Sequence, residues 1–294
     1  MYEVIYSRIL GIVSKNFWSQ SLTWSRVFFA VSTLLNLVFN SNKTLVINSN
    51  RIYNIKDPEY YSIYNILDPF FGKIISIIIL ISVIIGYFPK ITSILHFWVA
   101  YSFNVSAKMI EGGDQVVMIY TMLLIPLMLL DKRKNHWTSN KAHSYSFQQK
   151  TIGFCTVLLM KTQCFVIYFV AAVSKFSHNE WRNGTAIYYW FYDEVFGLNE
   201  TMLCIITPFL KNSYFIVIMT WGTLLLELLL AYSAFSRSSI YRIICYFCGA
   251  LFHLAIAGFL GLWSFFFAML GVLTYILLDL DKVKFYYEKI LSKL

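Results

Sequence analysis

The sequence predicts an all-α fold: a polytopic membrane helix bundle of about eight transmembrane helices, with one further interfacial or re-entrant helix. Three observations predict it. The 294 residues are 58% hydrophobic and only 13% charged, whereas soluble domains run at roughly 45–50% apolar and about 25% charged. Mean hydropathy is +0.61. The apolar residues also fall into blocks of about 20, the length that crosses a hydrocarbon core as a helix, and no long polar stretch separates them.

The elements follow in order. Residues 1–20 mix charge with bulk (Glu3, Arg8, Lys15, Trp18) and are followed by no small-residue cleavage site, so they read as an amphipathic segment on the membrane surface. A transmembrane domain is expected over 21–281, with spans at 22–40, 72–89, 91–109, 114–131, 152–174, 214–235, 241–261 and 263–280, and then a cytoplasmic tail over 282–294. Pro89-Lys90 and Gly261-Leu262 imply tight connections, hence antiparallel neighbours. Segment 199–211 is apolar but short and carries Pro208; it is the interfacial or re-entrant helix.

A net charge of +9 in so apolar a chain points to topology and to anionic lipid headgroups rather than to nucleic acid. The loop 131–151 carries Lys132, Arg133, Lys134, Lys141 and Lys150, and 236–242 carries Arg237 and Arg242. With the basic residues of both termini, these fall on one side if eight helices alternate. Both termini are therefore expected in the cytoplasm, with 41–71 and 175–213 outside. The five cysteines show neither a disulfide nor a zinc framework. Cys245 and Cys248 have redox spacing but lie in an apolar helix, where a thiol packs as a small hydrophobe. His136 in "DKRKNHW" is a lone histidine on a basic loop, so no metal site is expected, and the sequence names no cofactor. Walker, HExxH, GxSxG and Gly-rich nucleotide motifs are absent from it.

Ionisable residues inside a bilayer are costly and are functional candidates. Lys161, Cys164, Tyr168 and Lys175 are spaced by 3, 4 and 7 and share one helix stripe. Glu227, in "LLLELLLAY", is the one carboxylate in the middle of an expected span. Counted from opposite helix ends, it lies as deep as Lys161, and the two are expected to form a structural ion pair. In the outer third, Lys175, His253 and Asp114 (behind Gly112 and Gly113) can converge as a catalytic base or nucleophile with a histidine and a carboxylate. Each also has an ordinary reading: a lysine that snorkels to the interface, a histidine that satisfies a neighbouring helix, an aspartate that caps one.

"IEGGDQVVMIYTMLLIPLMLLDKRKNHW" (110–137) and "EWRNGTAIYYWFYDEVFGLNE" (180–200) resemble the SdpB family, as do "SRVFFAVSTLLNLVFN" near the start and "LFHLAIAGFLGLWSFFFAML" near the end. The resemblance implies a bacterial membrane protein that helps mature a secreted peptide toxin precursor of the SdpC type into an active antimicrobial peptide, beside an SdpA-like partner protein. The family in turn resembles the horizontally transferred transmembrane class, which includes vitamin K-dependent γ-glutamyl carboxylase. On that likeness Lys175 falls on the carboxylase's base lysine, Lys161 and Gln163 on an Arg-x-Gln pair, and His253 on a matching histidine, while Asp114 stands where the carboxylase has histidine. Because of the Asp114 departure, a residue inserted between Lys175 and Trp181, and the missing lumenal domain, no quinone-driven carboxylation is predicted. The alternatives are a non-enzymatic chaperone or exporter of the precursor, and an immunity protein that protects a cell making no toxin.

Overall fold

The computed structural model describes residues 17–41, 54–138, 144–194 and 197–280. Most of the expected surface segment and the whole of the expected tail lie outside the described residues. The helices are α1 (Gln20–Phe39), α2 (Ile63–Ile66), α3 (Pro69–Ile85), α4 (Pro89–Ser106), α5 (Gly112–Leu129), α6 (Phe147–Lys175), α7 (Asn179–Arg182), α8 (Ala186–Phe191), α9 (Glu200–Leu210), α10 (Ser213–Ser233), α11 (Ser239–Leu260) and α12 (Trp263–Leu277), with a 3-10 turn at Pro58–Tyr61. Among the described residues the only β element is an isolated bridge between Tyr87 and Asn135. Each of the eight expected spans is a helix. Five of them (α1, α5, α6, α10 and α11) are long and apolar enough to cross a membrane. At 17 and 15 residues, α3 and α12 are shorter, and α4 carries Lys90, His96 and Asn104.

The chain forms two compact units. The first comprises Met1–Met160 with Ser264–Leu294, the second Lys161–Trp263.

In the first unit α1 lies antiparallel to α12, joined by hydroxyls as well as by the Phe28–Phe267 ring contact. Ser21, Ser25 and Ser32 donate to the carbonyls of Leu278, Gly271 and Ser264 at 2.9, 2.7 and 2.8 Å. In lipid there is no hydrophobic drive between helices, so small residues and hydrogen bonds supply the contact. Gly271 is part of this, because a Cβ there would lie 2.7 Å from the Phe29 ring. A buried cluster that includes Leu37, Tyr64, Leu80, Val83, Val99 and Phe103 ties α1, α2, α3 and α4 together. Asp68 caps α3 by accepting from Phe70 N, and Pro69 starts it. Gly86, at φ 91, ends it in the left-handed region, three residues before Pro89 starts α4.

The basic loop after α5 differs from a headgroup-facing loop. Asp131, Arg133 and His136 are buried. Arg133 makes a paired contact to Asp131, with Nε and Nη2 donating to the carboxylate at 2.8–3.1 Å, and Nη1 donates to His136 O at 2.8 Å. The next three residues cap the C-terminus of α3, whose last carbonyls have no helical partner. Asn135 Nδ2 donates to Ile85 O, Trp137 Nε1 to Ile84 O and His136 N to Gly86 O, all near 3.0 Å. From α1, Thr23 donates to His136 O, and the buried Arg26 donates to His136 Nδ1 and to Thr92 Oγ1. An arginine cannot accept, so Nδ1 holds the lone pair. Burial first, then the cations Arg26 and Arg133, push this imidazole down to about 2, so it stays neutral. The physical reason the loop is not a simple charged loop is this pairing: Asp131 neutralises Arg133 in place.

In the second unit α10 and α11 run antiparallel, with Tyr241 OH donating to Leu229 O at 3.0 Å. Phe191 of α8 packs on Phe259 of α11. Leu198, Leu210 and Phe191 form a small core with Phe215, Ile216 and Phe259. So α8 and α9 lie against the Ser213 half of α10 and the Leu260 end of α11.

Candidate functional site

The site is set by where α6 stops. Phe165 of α6 contacts Phe235, just past the end of α10, and Lys175 pairs with Glu227. Ten residues forward along α6 thus match eight residues back along α10, an antiparallel register. Lys175 is therefore level with Glu227, and α10 continues for 14 residues beyond it, about 21 Å of rise. A lysine ending its helix where α10 begins would be level with Ser213 instead. Helices α7, α8 and α9 cover the remaining length of α10.

Glu227 does not take Lys161 as its partner, contrary to the depth count. Lys161 sits 14 residues, about 21 Å along the helix, from Lys175, beyond the reach of a carboxylate that is already on Lys175. Lys175 Nζ donates to Glu227 Oε1 and Oε2 at 2.6 and 2.8 Å and to Ala171 O at 3.0 Å. The side chains are 20% and 8% exposed, so the pair is half-buried on the lysine side only.

Trp181 covers the same ammonium, its ring centroid 5.2 Å from Nζ, a cation–π contact. Gly184, three residues after Trp181, follows α7 with φ 74 and lies against Trp221 and Val217; a Cβ there would approach Trp221 Nε1 at 3.0 Å. Ile187 N donates to Thr220 Oγ1 and fixes the next helix. These elements enclose an open cavity of about 530 Å³. Lys175, His178, Glu180, Trp181, Tyr189 and Asp193 are among its lining residues. Its volume suits a few side chains of a peptide.

His253 lies in the same unit, buried on α11, with Tyr168 OH 2.9 Å from its Nε2. Tyr168 and Lys175 are seven residues apart on one stripe of α6. His253 is not among the residues lining the cavity. Asp114 belongs to the first unit. It is the third residue of α5 and closes a capping box with Glu111, accepting from Glu111 N at 3.0 Å and from Asn36 Nδ2 at 2.8 Å. Glu111 in turn accepts from Ser264 Oγ. Sequence reasoning missed Trp181 and Asp193 as cavity residues. The signal was present in "WRNG", where a glycine three residues after the tryptophan permits the reversal.

A family model described as the HTTM domain matches residues 16–281. The chain belongs to the HTTM domain family. Among curated proteins this HTTM chain is 37% identical, over 81% of its length and 75% of the relative's, to "Sporulation-delaying protein SdpB" of Bacillus subtilis (strain 168). It is 31% identical, over 96% of its length and 92% of the relative's, to "Uncharacterized protein YitO" of the same organism. No solved structure matches it. An HTTM chain with several apolar helices is a multi-pass membrane protein.

Proposed function

We propose that this chain is required for maturing a secreted peptide toxin precursor into its active antimicrobial form, together with an SdpA-like partner protein, in the cell membrane with both termini cytoplasmic. Support for the pathway comes from the 37% identity to the sporulation-delaying protein. One observation carries the site: a lysine held by a carboxylate and an indole at the wall of an open cavity. In this reading Lys175 is the working base or nucleophile. Tyr189 and Trp190 offer faces to an apolar peptide, and the buried Tyr168–His253 pair stiffens the bundle behind it.

The test is Lys175→Arg, expressed with precursor and partner, scoring active peptide in the medium by mass and by killing at matched membrane levels. Arginine keeps the charge but cannot give up its proton, so peptide output is expected to fall at least about a hundredfold, the lower end of what proton transfer contributes. Undiminished output would make Lys175 an anchor. A second reading has its own observation: every donor direction of Lys175 already meets an acceptor, as suits a chaperone or exporter in which the pair only braces two helices. That reading expects normal output from the arginine variant.

A further inference from the structure

An ammonium has three N–H donors and no acceptor. Lys175 Nζ has three acceptors in reach, Ala171 O and both oxygens of Glu227. In this arrangement its nitrogen offers the cavity no lone pair. A working amine must therefore lose a proton, and the group placed to take it is Glu227, 6% exposed and in direct contact. The other charged or titratable groups facing the cavity are His178, Glu180, Tyr189 and Asp193. None of them lies at hydrogen-bond distance from Nζ, whose partners are Ala171 O and Glu227, and the titratable neighbour that faces Glu227 itself is Tyr168 of α6.

We propose that Glu227 is the positioning residue and resident proton acceptor for Lys175. At rest it holds Nζ at the cavity wall as an ammonium. When a bound polypeptide segment excludes water, the proton passes from Nζ to a Glu227 oxygen. One N–H bond breaks and one O–H bond forms, leaving a neutral amine toward the cavity and a neutral carboxyl behind it. The site's net charge is unchanged, and the uncharged pair suits a dry, apolar surrounding better than two ions. This rests on the cavity being the working site.

The experiment uses the full chain in liposomes, pulsed with acetic anhydride at pH 8, with acetylation read by mass spectrometry at Lys175 against the exposed Lys211. In the wild type, Lys175, whose three N–H donors are all engaged, is expected to react at least about tenfold more slowly than Lys211. Glu227→Gln is expected to raise the Lys175 rate about tenfold while Lys211 stays constant. Glu227→Asp, which keeps the acceptor, is expected to restore the protection. Equal rates at Lys175 and Lys211 in the wild type overturn the proposal without any variant. An unchanged Lys175 rate in Glu227→Gln overturns it too. If labelling follows expectation but Lys175→Arg matures peptide normally, the proton pair stands and the functional reading falls. If the arginine variant is inactive and labelling ignores Glu227, the reverse holds.

Discussion

Replacing Asp131 by alanine is expected to lower stability by about 3–5 kcal/mol, the usual result of stranding one member of a buried ion pair. Arg133 is 1% exposed at its side chain and Asp131 is fully buried. Without the carboxylate, the guanidinium keeps only carbonyl partners, chiefly His136 O. It also loses the neutralising charge beside Arg26, a second buried cation in the same cluster. Heating the detergent-purified protein and following its monomer peak should show a drop of about ten degrees. Lys132→Ala, whose side chain is exposed between the two, should show almost none. Removing both charges, Asp131→Ala with Arg133→Met, should recover much of the loss, because an apolar replacement strands nothing. If Asp131→Ala melts with the wild type, the buried pair does not stabilise the clamp.

This pair marks the boundary of what the sequence could disclose. The helices were legible because a membrane span leaves a one-dimensional signal, an unbroken apolar block of fixed length. The tight connections at Pro89-Lys90 and Gly261-Leu262 were legible because glycine and proline have local causes, although the first turn itself runs from Gly86 to Pro89. "DKRKNHW" was not legible as a clamp, because a charge run carries the same letters whether it faces water or closes on itself. Asp131 beside Arg133 was the only hint. At the site, Lys175 and Glu227 were both singled out, but their pairing was assigned wrongly to Lys161. Equal depth from opposite helix ends requires α6 to run the full length of α10, whereas α6 stops level with Glu227 and the residues after Lys175 lie along the rest of α10. Periodicity gives the stripe on which a residue lies. It does not give the level at which two helices meet, which long-range packing decides. Asp114 shows the converse: its capping role was readable from Gly-Gly-Asp at a helix start, and the structure gives it that role in full.

Gly86→Ala is expected to be the most damaging small change in the first unit, and two costs combine in it. The backbone sits at φ 91, and an alanine held in the left-handed region costs roughly 1–2 kcal/mol. The new methyl would also stand 2.2 Å from His136 Cδ2 and 2.4 Å from Nε2. Normally a side chain would swing aside. His136 cannot do so cheaply, because its ring is held by Arg26, its carbonyl by Thr23 and Arg133, and its N–H by Gly86 itself. Relieving the clash means releasing the clamp on α3 and freeing a buried arginine, so the total should exceed about 3 kcal/mol, beyond ordinary overpacking. Gly222→Ala and Gly258→Ala, where a methyl meets nothing within 4 Å, are the matched controls and should be neutral or slightly stabilising. Gly86→Asn separates the two costs. Asparagine tolerates the left-handed region but still carries a Cβ. If it melts as low as Gly86→Ala, the collision with His136 dominates, and the loop after α5 is what fixes the α3–α4 turn. If it melts near the wild type, the turn needs only the backbone angle, and the close fit to His136 is not what holds the clamp.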